Sequence, residues 1–444
     1  MIISVLRRGV ALVFALLLYA CNTPDPPTLS PLALKAALQK HSVAPWYPAS
    51  IDTAYGGYLS DFNAHWNPEG DQNKMIVSQA RHIWVCSKLA HYYVDDDRYL
   101  IWAHHGFEFL SQHMWDSLSG GFYQTVDRMG MPLADTMKTD YGNAFAIYGL
   151  AAYYKASNNK LALALAQQTF NWLEQHSYDS THGGYFQFLT PQGTAQVEGY
   201  QGTPPKDQNS SIHLLEAYTE LYQVWPDSLL KTRLEELLVL IRDTITTDKG
   251  TMNLFFESDW TPFLYSDLNV AEEDHFNLDH VSFGHDIETA YLLLEAAELL
   301  GGSHYQSTLP KAKLMVDHSL QFGWDESIGG VFDGAYYLHN SDTPKIVKQG
   351  KVWWSQAESL NSLSLFGILY PEDQMEYTSK SVQQWDYIQN NLIDHEYHGW
   401  YWGGLDMEPH HVDGPKGQVW KVNYHTVRSL LNVIKRLEVD DQKH

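Results

Sequence analysis

A loop signature recurs six times along this chain: an acid, three or four variable residues, a glycine pair, then an aromatic or branched residue. The clear copies run from Asp52 to Gly56-Gly57-Tyr58, Asp116 to Gly120-Gly121-Phe122, Asp179 to Gly183-Gly184-Tyr185, and Asp325 to Gly329-Gly330-Val331. Degenerate copies lie at Asp248-Lys249-Gly250 and from Asp394 to Gly399-Trp400. Gly56, Gly120, Gly183, Gly250, Gly329 and Gly399 follow one another at 64, 63, 67, 79 and 70 residues. Six copies at a near-constant period imply six equivalent units.

Between the loops, apolar residues recur at helical spacing, as in Leu214, Leu215, Tyr218, Leu221 and Tyr222. The pattern predicts two helices per unit, over 32–42, 79–94, 99–113, 139–156, 160–176, 208–225, 228–245, 285–300, 306–321, 353–369, 374–391 and 424–437. Each glycine loop is followed by a short aromatic-rich extended piece, such as Gly121 to Asp127, and then by the even-numbered helix of the next pair. Twelve helices in six hairpins predict an all-α (α/α)6 barrel, a toroid of six inner and six outer helices. An open α-solenoid is the alternative, but its repeats are shorter, about 33–47 residues. The repeat overrides the two or three domains that 444 residues would suggest, and a single catalytic domain is expected over 32–444.

Arg7 and Arg8 precede an apolar run, Val10 to Leu18, that is too short to span a bilayer and fits a secretory signal over residues 1–20. Small Ala20 stands before Cys21, which resembles a bacterial lipobox. The expectation is a lipidated Cys21, a proline-bearing tether over 21–31, and an exported monomer on the bilayer of a Gram-negative outer membrane or in the periplasm. Removing the signal leaves 27 basic against 53 acidic residues, a surface that repels phosphate backbones and argues against nucleic acid. Cys86 would then be the one free thiol, inside an apolar run, so no disulfide is possible.

The starts of the even-numbered helices hold the unusual polar residues: Arg81, Tyr141 with Asn143, Asn209 with His213, His285 with Glu288, Trp353 with Glu358, and His425. Helices that share a direction in a toroid open on one end, so these residues should converge on one funnel. Within Gly284 to Glu288, His285 and Glu288 lie three apart and share a helical face, so the carboxylate is expected to orient or charge the imidazole, with Asp286 pointing elsewhere. No HxH or HExxH pair occurs among the inner-helix histidines, so no catalytic metal is expected, and no GxSxG nucleophile motif is present.

Gly284 to Glu288 (GHDIE), Asn209 to Glu216, Trp353-Trp354 with Gln356-Ala357-Glu358, Tyr424-His425 with Arg428, Tyr141 to Tyr148, and Ser78 to Arg81 together resemble the cellobiose 2-epimerases of the N-acylglucosamine 2-epimerase superfamily. The similarity spans residues 32 to 437. It implies the (α/α)6 barrel and a cofactor-free, metal-free inversion of carbon 2 through an enediolate. By that resemblance His285 and His425 are the acid/base pair, His213 a third pocket histidine, and Arg81 the residue facing the sugar's O1 or O2. It also implies that Glu288 supports its neighbouring histidine, that Glu358 binds sugar hydroxyls, and that Trp420 stacks. Tyr291 stands where the superfamily usually has tryptophan, and Asn143 where it has glutamine.

The chemistry suits these residue types. A C2 hydrogen is acidic only beside a free carbonyl, so the ring must open first, and imidazole serves as acid or base near neutral pH. Inversion then favours two bases flanking a planar enediolate, with an arginine on the growing negative charge. Trp353, Trp354, Trp420 and Tyr291 are expected on the apolar sugar faces, with Tyr141, Asn143 and Asn209 as further substrate contacts. The alternatives are a monosaccharide mannose 2-epimerase, an aldose–ketose isomerase, a glycoside hydrolase using Glu288 and Glu358, and a non-catalytic sugar-binding lipoprotein. A hydrolase would leave three convergent histidines unexplained.

Overall fold

The computed structural model describes residues 29–133, 137–264, 278–338 and 341–441. The signal, Cys21 and most of the tether lie outside them. Among the described residues, twelve α-helices alternate between an outer and an inner ring. The outer set is α1 (Pro31–Ala37, continued by a π turn, Leu38–Val43), α3 (Arg98–Phe109), α5 (Lys160–His176), α7 (Ser228–Leu240), α9 (His304–Gly323) and α11 (Tyr377–Tyr387). The inner set is α2 (Ile76–Tyr92), α4 (Asp140–Ser157), α6 (Gln208–Tyr222), α8 (Phe283–Leu300), α10 (Trp353–Leu369) and α12 (Tyr424–Asp441). Each inner helix packs on the next in chain order, and α12 closes on α2, so the ring is shut as the period of the loops predicts. Among the described residues no helix is long and apolar enough to cross a membrane.

The inner helices are buried nearly all round, which is why their sequences are apolar on more than one face. Their starts are set by polar groups. Thr139 caps α4 by accepting from the Gly142 amide, and Asp207 caps α6 by accepting from Ser210. Just before these starts the chain is extended and pairs with the stretch after the next glycine loop. Strand β1 (Lys74–Met75) pairs antiparallel with β2 (Thr125–Val126), β3 (Lys138–Thr139) with β4 (Phe188–Leu189), and β5 (Lys206–Asp207) with β6 (Phe255–Phe256). A fourth ribbon joins β7 (Gly334–Tyr336) to β8 (Lys345–Lys348). The first three ribbons stitch successive units together at one end of the ring, while the fourth is a hairpin within one segment between helices.

The repeated aspartate has a buried partner that the loop pattern does not reveal. Lys74 reaches Asp52 at 3.0 Å, Lys138 reaches Asp116 at 2.7 Å, Lys206 reaches Asp179 at 2.7 Å, Lys351 reaches Asp325 at 2.8 Å, and Lys416 reaches Asp394 at 2.6 Å. Four of these lysines also donate to the first glycine's carbonyl, at Gly56, Gly120, Gly183 and Gly329. The aspartate's other oxygen accepts loop amides, such as Leu118 and Ser119 on Asp116. Both glycines after Asp116 have φ +70°, a conformation that a side chain disfavours. An amide side chain one turn into the inner helix then clamps the following residue. Gln79 exchanges two hydrogen bonds with the Tyr58 backbone, Gln356 does the same with Val331, and Asn143 accepts from Phe122.

Asn143 is therefore corrected from a sugar contact to a loop clamp, its amide nitrogen donating to the Thr139 carbonyl. The weakest copy of the loop is the fourth, where Asp248 is fully exposed and only 3.9 Å contact with Lys311 remains.

Removing one partner of a buried pair strands the other's charge. Lys138→Met is expected to cost about 3–5 kcal/mol of stability, measured by chemical denaturation. The double variant Asp116→Asn/Lys138→Met should lose clearly less than the sum of the two single changes. Additive losses would remove the pair from its structural role.

Candidate active site

Side chains from all six inner helices meet in one cavity of about 340 Å³ at the N-terminal end of the ring. Its walls carry Arg81 of α2, Tyr141 of α4, Asn209 and His213 of α6, His285 and Glu288 of α8, Trp353 and Trp354 of α10, and His425 of α12. Trp420 and Trp402 close the rim from the last loops. Six helix N-termini aimed at one space make it favourable to negative charge. The convergence expected from periodicity is present.

The three histidines are each held through Nδ1. His213 meets Glu216 at 2.8 Å, His425 meets Glu358 at 2.8 Å, and His285 meets the Ser282 hydroxyl at 2.8 Å. That leaves Nε2 as the nitrogen open to a bound molecule in every case. The partners differ in what they enforce. Glu358 Oε1 already accepts from the Arg428 guanidinium, so it can only accept from His425, which fixes a proton on Nδ1 and a lone pair on Nε2. Glu216 imposes the same tautomer on His213. Ser282 can donate or accept, so His285 is free to present either a proton or a lone pair.

Behind the histidines lies a buried arginine. Arg428 donates to Glu216, Glu288 and Glu358, and to the Tyr424 hydroxyl. The Tyr424 hydroxyl in turn donates to Glu216. Burial alone would push the Glu216 carboxyl up, but Arg428, His213 and Tyr424 hold it well below the usual range. Burial pushes Glu358 up, opposed by Arg428. Burial likewise draws His285 down to about 4, against the pull of Glu288, and takes His425 well below an ordinary imidazole. Glu288, Glu358 and His425 have the composition of a metal site, but the Arg428 guanidinium occupies the place a cation would take between the two carboxylates.

Several expected roles are corrected. Glu288 lines the cavity but pairs with Arg428 and stands 3.7 Å from His425, while His285 relies on Ser282. Glu358 is fully buried and binds His425 and Arg428, so it is a support and not a sugar ligand. Tyr291, two turns into α8, lies away from the cavity, where its hydroxyl accepts from Asn432. Asp286 points elsewhere, as expected, and accepts from the Met252 amide. Glu288 and Glu358 share one guanidinium, so they do not flank a glycosidic bond as a hydrolase's two carboxylates must.

Arg81 faces the cavity with its charge spread over partners of low demand. It donates to the Tyr141 hydroxyl at 3.0 Å and the Trp420 carbonyl at 3.3 Å, and lies 4.3 Å from the centre of the Phe145 ring. Among the described residues it has no carboxylate hydrogen-bond partner, which leaves it available for an oxyanion. The sequence reading missed Trp402, whose carbonyl accepts from the Trp353 amide and whose ring lies 4.4 Å from that of Trp353. Its position three residues after Gly399, in the aromatic-rich piece that follows a glycine loop, is the signal that could have found it.

The family model of the N-acylglucosamine 2-epimerases (GlcNAc 2-epimerase) matches residues 57–429. A cellobiose 2-epimerase of Ruminococcus albus is 30% identical over 406 residues, covering 89% of this chain and 96% of the relative. That of Dictyoglomus turgidum is 27% identical over 416 residues, covering 91% and 99%. The solved cellobiose 2-epimerase of Spirochaeta thermophila superposes with a TM-score of 0.78 at 28% identity, covering 92% of this chain and 96% of that one.

A histidine held near 4 binds its proton less tightly folded than unfolded. Its contribution to stability is complete above its ordinary value of 6.5 and is lost as the pH falls from 6.5 towards 4. Between pH 7 and 5, His285 alone should account for up to about 2 kcal/mol of lost stability. His285→Gln is expected to flatten the pH dependence of the unfolding midpoint by that amount, and an unchanged slope would contradict the depressed value.

Proposed function

Since the chain belongs to the N-acylglucosamine 2-epimerase family, we propose that its cavity inverts carbon 2 at the reducing end of a saccharide, as a cellobiose 2-epimerase does. The protein is a carbohydrate epimerase, an isomerase. The observation that carries the mechanism is the set of histidines anchored through Nδ1 around an arginine that, among the described residues, has no carboxylate hydrogen-bond partner.

The reaction begins with ring opening, which needs a proton placed on the ring oxygen and another taken from the C1 hydroxyl. His285, whose Ser282 partner permits either tautomer, suits this exchange. His425 Nε2, held as a lone pair by Glu358, takes the C2 hydrogen, and the charge moves to O1, where Arg81 and the helix N-termini receive it. The imidazolium formed on His425 lies close to Glu288 and Glu358, which offset its burial. His285, which enters the cycle as an imidazolium with a proton drawn from solvent, gives that proton to the other face of C2 and is left neutral while His425 stays protonated, which completes the inversion. Trp353, Trp354, Trp402 and Trp420 cover the apolar sugar faces and exclude water. His213 and Asn209 hold the remaining hydroxyls.

Cellobiose is the substrate carried over from the names of the relatives. Export and lipidation at Cys21 belong to the same proposal. They rest on the signal-like start of the chain, and they put the enzyme where oligosaccharides arrive from outside.

Replacing His425 by alanine should lower turnover by about 10²–10⁴ with the fold retained. In heavy water the epimerised product should carry deuterium at C2, because the returning proton comes from an exchangeable imidazole. A label-free product would point to a shielded base or a hydride route, and a ketose product to aldose–ketose isomerisation on the same enediolate. Cys21→Ser should release the protein from membranes at unchanged specific activity, and continued membrane association would overturn the anchor.

A further inference from the structure

The loop that follows Trp402 carries a second cluster of ligating side chains, outside the cavity. Its 3-10 turn, Pro409–Asp413, presents Glu408, His410 and His411, whose ligand atoms all lie within 4.8 Å of one another. His411 Nε2 stands 3.4 Å from a Glu408 carboxylate oxygen. Two ligands of a tetrahedral ion bound at about 2.0–2.1 Å are separated by about 3.3 Å, so this pair already has the spacing of one edge. The His410 and His411 rings stand 4.2 Å apart, centre to centre, and His410 is exposed and free to turn its nitrogen towards the same point.

The backbone holds the cluster in shape. The His411 amide donates to the Glu408 carbonyl, and the Glu408 amide donates to Gly404. Glycines make the room. A Cβ at Gly350 or Gly403 would come within 2.8 Å of the Glu408 carboxylate, and at Gly403 also within 2.9 Å of the His411 ring. Asp333 lies close enough to feel the Glu408 charge and adds negative potential for a cation, which the nearby Lys348 ammonium offsets in part. The Lys421 ammonium near His411 opposes it, but is engaged by the Trp400 and Pro415 carbonyls.

We propose that Glu408, His410 and His411 bind one divalent transition-metal ion of the zinc or nickel class at the rim of the sugar cavity. Two imidazoles and one carboxylate are a donor set for borderline ions, and they leave a fourth position to water. The bound ion ties the loop into one piece directly behind Trp402, which forms part of the cavity wall. It takes no part in the proton transfers.

Calorimetric titration of the untagged, chelator-stripped chain with zinc chloride and nickel chloride tests this. One equivalent is expected. His410→Ala, a change at an exposed side chain, and Glu408→Gln should each weaken it at least tenfold, while His285→Ala leaves it in place. Zinc should also raise the unfolding midpoint of the unsubstituted protein but not of His410→Ala. The proposal is overturned if the unsubstituted chain takes up no ion, if His410→Ala binds as tightly, or if His285→Ala abolishes the uptake, which would move the site into the cavity.

Discussion

A lysine ammonium buried against an aspartate, and made again in five of the six units, fixes the geometry from which the rest follows. Its carboxylate gathers the loop amides while its lysine sits in the strand that leads into an inner helix. One contact thus joins the end of an outer helix to the start of an inner one. Neither charge would survive burial alone, so loop and strand must arrive together. Since the cavity is built from the first turns of the inner helices, the placement of its side chains depends on these pairs, although none of their members lines it.

The second layer of organisation is the arginine beneath the cavity floor. Three carboxylates from three different inner helices converge on Arg428, leaving an excess of negative charge close to His213 and His425. Burial drives the His425 imidazole towards neutrality, and the carboxylates limit the cost when it takes a proton. Both the resting state of His425 and its capacity to change state are therefore set by groups behind it, of which only Glu288 reaches the cavity wall.

Most of the architecture was legible in the sequence because it is periodic. The loop signature located all six units, helical spacing located the twelve helices to within a few residues, and together they located the funnel. What escaped is what periodicity does not encode. Arg428 meets its carboxylates across 212, 140 and 70 residues, and nothing local marks it as their common partner. Glu358 and Asn143 stand at the starts of inner helices like the cavity residues, yet turn to protein partners, because a helix start offers faces that point down as well as inward. The expected pairing of His285 with Glu288 obeys the spacing of a helix face, but a nearby guanidinium outcompetes a neutral imidazole for the carboxylate. The lysines at 74, 138 and 416 do follow their aspartates by a constant 22 residues, a regularity that acquires meaning only once the two are seen to touch.

The unequal partners of His285 and His425 bear on how the catalyst recovers between turnovers. In the proposed mechanism the two imidazoles have exchanged protons after one inversion, so the free protein would exist in two forms, each primed for the opposite direction. Were both rings locked by carboxylates, restoring the first form would mean breaking a buried ion contact. With a serine on one side, the swing of a single hydroxyl accompanies proton exchange with solvent. The protein then carries no memory of the direction in which it last ran, and its two sugars can be drawn towards equilibrium from either end.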